Sequence, residues 1–291
     1  MLLEGDRGFD PFRVLSREER HHHLDGYLRF LEEYDGALDF ERRRLSRRER
    51  FFEELALKPV EWQGPLDRDA FQHNFDRAGD ANLDRLTAWL VVAAKANIGE
   101  CYGVDQELRR IAASGEAETM DELHLRMLMQ EEYHTRILTE VCGTVGVRVS
   151  TPMPHWNQRI LIHIVMRLPD AMRWVLVIGA EIVGCAVFEA LLRNCDVFSS
   201  EPEVEERLRS LVTEIWRDEV LHVAYLRARI GRVGLAAARL LGPLVARAAM
   251  LDLPQLVSLG TSRADLLERV KAGLDVPEGL AWMKPDPVPV V

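Results

Sequence analysis

From about residue 82 the apolar positions recur every three to four residues, the period of a helix with one face in a core. This pattern predicts four long helices, at roughly 82–113, 119–143, 170–195 and 202–230. The breaks fall at SGEAET (114–119), at a longer connection through GVRVSTPMPHW (146–156) and at DVFSSEP (196–202). Short loops inside each pair and a long crossover between the pairs predict an all-α four-helix bundle made of two antiparallel hairpins. Ahead of it, a charged stretch from Ser16 to Leu57 reads as one or two helices, followed by a loop around PVEWQGPLDRD. Helices near Gly234–Leu251 and Ser262–Lys271 come after it, then a proline-rich tail, MKPDPVPVV, that is expected to fray. The chain reads as one domain over 1–291: a bundle at about 82–230, an N-terminal helical extension (1–81) and C-terminal helices with a tail (231–291).

Acidic residues interrupt the apolar faces at particular places. They are Glu100, Glu131 with His134 three residues on, Glu181, and Glu219 with His222 three residues on. Residues i and i+3 of a helix share a face, so a Glu-x-x-His pair can present both groups to one ion or to neighbouring ions. The spacing alone is weak, because Glu18/His21 and Glu19/His22 match it in the charged N-terminal stretch, off any apolar face. By contrast, Leu128 and Leu138 flank Glu131/His134, and Ile215 and Leu226 flank Glu219/His222, on apolar stripes.

Depth along the helices gives a second test. Glu100 lies 14 residues before the first turn and Glu131 12 after it, while Glu181 lies 15 before the last turn and Glu219 17 after it. At 1.5 Å per residue each hairpin brings its two carboxylates to within roughly 3 Å in height. Glu189, the rival on the third helix, would miss by about eight residues, or roughly 12 Å. Several carboxylates converging in a core require cations.

Composition narrows the function. A net charge of -10 excludes a nucleic-acid binder. Cys101, Cys142, Cys185 and Cys195 form no C-x-x-C pair, so neither a disulfide framework nor a zinc ribbon is expected. No signal peptide is visible, and the most apolar run, Trp174 to Phe188, is short and carries Glu181, so a cytoplasmic protein without a membrane partner is expected. His21, His22 and His23 read as a surface cluster. The arginine-rich ERRRLSRRER (41–50) reads as a solvated face of Glu–Arg pairs, with a docking patch for an acidic partner as the sharper alternative.

The six-residue constellation resembles that of the ferritin-like di-iron carboxylate proteins, over about residues 82–230. The resemblance implies that Glu100, Glu131 and His134 hold one iron and that Glu181, Glu219 and His222 hold the other, with Glu131 and Glu219 as bridges. Asp218 directly precedes Glu219, as in ribonucleotide reductase small subunits and bacterial multicomponent monooxygenases, which implies that it accepts a hydrogen bond from a metal-bound imidazole. The matching position before Glu131 is Gln130. Leu138 stands where a reductase would carry its radical tyrosine. Cys185 stands where hydroxylating monooxygenases place a small polar residue beside the oxygen pocket, with Gly184 beside it leaving space for oxygen or substrate, and Phe188, Met127, Ile178 and Trp216 are further pocket candidates.

By length and by its N-terminal helices the chain looks most like the p-aminobenzoate N-oxygenase group, although Ile215 replaces a third histidine ligand of its well-studied members. The implied activity is an O₂-dependent oxidation, foremost amine N-oxygenation in a natural-product pathway, with C–H hydroxylation or desaturation as the alternative and a non-catalytic metal-binding helical protein as the last. Its cofactors would be two iron ions, with manganese compatible, whose Fe(II) charge the four carboxylates balance. Its partners would be a small or carrier-bound substrate, an external electron donor and, at most, a second copy of the chain.

Overall fold

The computed structural model describes residues 9–76, 83–115, 120–147, 154, 156–272, 274 and 280. Ten α-helices account for most of these: α1 (Arg17–Tyr34), α2 (Ser46–Leu57), α3 (Arg68–Asp76), α4 (Arg85–Ser114), α5 (Glu122–Thr144), α6 (Trp156–Val165), α7 (Asp170–Arg193), α8 (Pro202–Arg229), α9 (Arg232–Asp252) and α10 (Arg263–Ala272). Local chemistry sets their ends. Ser16 and Glu19 form a reciprocal capping box on α1, Asp84 and Asp121 accept from the third residues of α4 and α5, and Pro202 opens α8. Gly115 ends α4 at φ 69°, a left-handed conformation that a side chain would resist.

The four long helices pack as antiparallel neighbours. Across α4–α7, Glu107 lies against Arg173 while Trp89 donates to the Leu191 carbonyl at 2.9 Å. Across α5–α8, His134 faces Asp218, Gln130 faces His222 and Asp121 pairs with Arg229. Asn97 reaches Cys142 between α4 and α5, and Arg209 reaches the Leu192 carbonyl between α7 and α8. α7 is buried nearly all round, which is why it lacks a polar face. It is long and apolar enough to cross a membrane, but 72% of its most apolar window is buried, so this length is core.

Several elements depart from the expectation. α1 and α2 are separated by a two-stranded antiparallel ribbon, β1 (Leu38–Asp39) and β2 (Arg44–Leu45), where a continuous or once-broken helical stretch is the sequence reading. Gly36 makes the break: φ is +78°, and a Cβ there would meet Ser46 Oγ at 2.4 Å. α3 begins inside the expected PVEWQGPLDRD loop, and α6 lies in the crossover. Most of SGEAET, part of the 146–156 connection and the MKPDPVPVV tail lie outside the described residues.

The histidine triplet divides. His21 and His22 are exposed, but His23 is buried against α8, with its Nδ1 3.5 Å from Arg227, whose guanidinium stacks on Phe9 at 4.0 Å. Burial, reinforced by the Arg227 charge, lowers the His23 pKa to about 3. In the unfolded chain it would titrate near 6.5, so protons bind preferentially to the unfolded state between about pH 6.5 and 3. The contribution of neutral His23 is therefore complete above pH 6.5 and falls by at most about 1.4 kcal/mol per pH unit below it. Urea unfolding of His23→Gln against the parent from pH 7 to 4 should show a shallower loss of stability in the variant; parallel curves would contradict this assignment.

Candidate metal centre

Each candidate ligand is carried by one of the four long helices, and all six come together. Glu100 (α4), Glu131 and His134 (α5) form one cluster, and Glu131, Glu181 (α7) and His222 (α8) form a second. Within each cluster the potential ligand atoms lie within 4.8 Å of one another. Glu131 belongs to both. His222 Nδ1 is 2.9 Å from Glu131 and 3.4 Å from Glu181, while His134 Nδ1 is 3.6 Å from both Glu131 and Glu219. Glu219 thus approaches the histidine of the opposite helix. Gly184 makes room for it, since a Cβ there would sit 2.4 Å from Glu219 Oε2.

The rival acid is turned elsewhere. Glu189 is ion-paired with Arg269 and Arg193. Glu18 and Glu19 stay on the charged N-terminal helix, where Glu19 caps its own N-terminus. Ile215 is fully buried in the apolar core, and Leu138 likewise.

The back of the site is a buried polar network. Arg48, 2% exposed, donates through Nε to Asp35 at 2.9 Å, through Nη1 to Glu214 at 2.8 Å, and through Nη2 to both Asp218 oxygens at 2.6 and 2.7 Å. The amide nitrogen of Gln130 donates to Asp35 at 2.9 Å and to Asp218 at 3.3 Å. That arrangement leaves Gln130 Oε1 to accept from His222 Nε2 at 3.0 Å, while Asp218 Oδ2 accepts from His134 Nε2 at 3.1 Å. Both imidazoles are therefore assigned as Nε2–H tautomers, with Nδ1 turned toward the carboxylates. Asp218 stands where the resemblance implies it. Gln130, the departure from that pattern, orients the second histidine.

Protonation follows the same geometry. Burial raises the Glu100 pKa to about 8, with Glu131 adding to it, and burial together with Glu181, Glu100 and Glu131 pushes Glu219 well up. Burial opposes ionisation of Glu131, but the two imidazoles outweigh it and hold its carboxyl below the usual range. Burial would lower His134, yet Asp218 and Glu131 lift it to about 9. Like charges this close require positive charge between them.

The residues fit a metal pair on one direct observation: the Nδ1 atoms of His134 and His222 are buried and face carboxylates, Glu131 standing 3.6 Å from the one and 2.9 Å from the other. A lone pair aimed at carboxylates is satisfied by a proton or by a metal ion, which compete for it. Oxygen and imidazole donors in this proportion suit iron or manganese.

A cavity of about 300 Å³ opens onto this centre, with Glu100, Glu131, Glu181 and Glu219 in its wall. The rest is mostly apolar and comes from α4, α5, α6, α7 and Val245 of α9. Of the expected pocket residues Met127 and Gly184 line it. Cys185, the candidate catalytic residue expected beside an oxygen pocket, is fully buried outside the cavity wall, and burial pushes its thiol pKa well up. The cavity instead meets the site at the neighbouring Gly184, because one residue along a helix turns a side chain by about 100°. Ile178, Phe188 and Trp216 are likewise core.

Arg48, Asp35 and Glu214 escape the sequence reading. One arginine in a run of six carries no mark of burial, and Arg43 and Arg44 do form the expected Glu pairs, with Glu132 and Glu49. Arg48→Met would remove the buried guanidinium shared by Asp35, Asp218 and Glu214, and a loss of about 3–5 kcal/mol is expected in denaturant unfolding. A change within 1 kcal/mol would mean that the network is solvated. No family model, curated protein or solved structure matches the chain.

Proposed function

We propose that the chain is a ferritin-like di-metal oxygenase that uses O₂ to oxidise an apolar organic substrate. The observation that carries this reading is the pair of Nδ1 lone pairs facing carboxylates that share Glu131, beside an apolar cavity. In it, α4, α5, α7 and α8 are the bundle, and Glu100, Glu131 and His134 would hold the first ion. The second would be held by Glu181, Glu219 and His222, with Glu131, which belongs to both clusters, between them. When bound, two iron or manganese ions supply the redox chemistry that lets O₂ oxidise carbon or nitrogen, with electrons from an external donor.

The chain's own residues do the rest. Asp218 and Gln130 fix the two imidazole tautomers, and Arg48 holds the Asp218 carboxyl below its usual range behind them. The cavity walls exclude water and place the substrate against the carboxylates. Small amines, the substrates implied by the resemblance, fit a site of this size. One observation favours C–H hydroxylation or desaturation: besides the carboxylates of the centre, the polar lining is Glu107, His124 and Arg173, and Glu107 is already paired with Arg173 at 2.9 Å.

Anaerobic reconstitution with Fe(II) should yield two irons per chain. Glu181→Ala should lose about one of them, Glu189→Ala none and Glu131→Ala both. The reduced, loaded protein should then place ¹⁸O from ¹⁸O₂ in product, as a hydroxylamine from an arylamine or as an alcohol from an apolar chain; a desaturation would instead give an alkene with the label in water. Absence of stoichiometric bound metal, or loading without any O₂-dependent product across both substrate classes, would contradict the proposal.

A further inference from the structure

α6 and α9 each present an apolar stripe to solvent. On α6, Trp156, Ile160 and Ile164 follow one another every four residues and are 65%, 52% and 52% exposed. On α9, Val233, Leu240, Leu244 and Leu251 are 84%, 77%, 56% and 68% exposed. Their spacings of 7, 4 and 7 residues bring all four within about 40° of one line along the helix. α9 is long and apolar enough to cross a membrane, yet only 22% of its most apolar window is buried, against 72% for α7. It does not leave the protein: it packs along α7 and α10, and a Cβ on Gly179 of α7 would stand 3.3 Å from Val245.

Charge identifies what covers this face. The chain carries a net charge of -10, yet α6 contains no acidic residue and α9 only Asp252, at its last position. Exposed Arg159 and Arg167 lie on and just beyond α6, and exposed Arg232 and Arg247 on α9, where Arg239 is also exposed but is ion-paired with Asp10 at 3.3 Å. A second copy meeting this face symmetrically would oppose arginine to arginine. Exposed apolar stripes flanked by arginines suit a soft apolar medium beneath an anionic layer. Both helices also wall the cavity: Leu161 of α6 lines it and is 41% exposed, and Val245 of α9 lines it from the other helix.

We infer that the α6–α9 face docks on an anionic lipid bilayer, with α9 lying in the interface, its apolar stripe among the acyl chains and its arginines at the headgroups. This is attachment to a surface, not a span. It departs from the expectation of no membrane partner, which rests on the Trp174–Phe188 run that forms the core of α7. The inference is independent of the metal reading, since lipid binding is measured whether or not metal is loaded.

Flotation of the full chain with vesicles tests it. Phosphatidylcholine vesicles carrying about 30% phosphatidylglycerol should bind at least about tenfold more tightly than pure phosphatidylcholine, and high salt should weaken that binding. The double variant Leu240→Glu/Leu244→Glu should lose binding, and Ile160→Glu/Ile164→Glu should weaken it. Leu57→Glu, at an 81% exposed leucine on α2, should bind as the parent does. All of these positions are exposed, and unchanged circular dichroism and melting would show that the fold is intact. No vesicle binding by the parent would overturn the inference. So would a concentration-dependent dimer that the α9 variant dissociates, or capture of a purified acidic carrier protein by this face in place of vesicles.

Discussion

Four carboxylates gathered in the middle of a helical protein repel one another unless positive charge stands between them, and the architecture around this centre answers that constraint in two layers. The outer layer is complete within the protein. Arg48 has three acidic partners, Asp35, Glu214 and Asp218, and Gln130 bridges two of them. In the inner layer His134 and His222 turn their Nδ1 atoms toward Glu131, Glu181 and Glu219. Removing one member of a buried ionic network costs far more than the network contributes when whole, so each layer depends on the other.

The N-terminal extension gains a role from this arrangement. α2 carries Arg48 into the back of the site, and Asp35 reaches the same point from the end of α1. The short ribbon between them turns the chain so that both meet. Tyr34 adds its hydroxyl to Glu214 at 2.8 Å, and Arg48 lies 4.8 Å from its ring centre. The extension is thus part of what holds the histidines of α5 and α8 in one tautomer, and not a solvated appendage.

What the sequence discloses and what it hides divide along physical lines. The long helices are legible because a 3.6-residue period persists over many turns, and the six inward-facing acids and histidines are legible because matched heights follow from the rise per residue. Arg48 is hidden because burial of an arginine depends on partners far away in sequence. α6 is hidden by its shortness, which leaves too few turns for a period to declare itself. Cys185 and Gly184 show the limit of reading one position at a time: both lie one turn from Glu181, but only the glycine faces the cavity. The stripe on α9 is present in the sequence, yet which of its apolar positions stay in solvent is decided only by packing on α7 and α10.

The central claim is that two ions share Glu131. Anomalous diffraction at the iron edge, from crystals loaded anaerobically with Fe(II), tests it most directly. The account predicts two peaks no more than about 4 Å apart, one beside His134 Nδ1 and one beside His222 Nδ1, with Glu131 between them. A single peak, peaks on the Nε2 side of either ring, or none at all would contradict it.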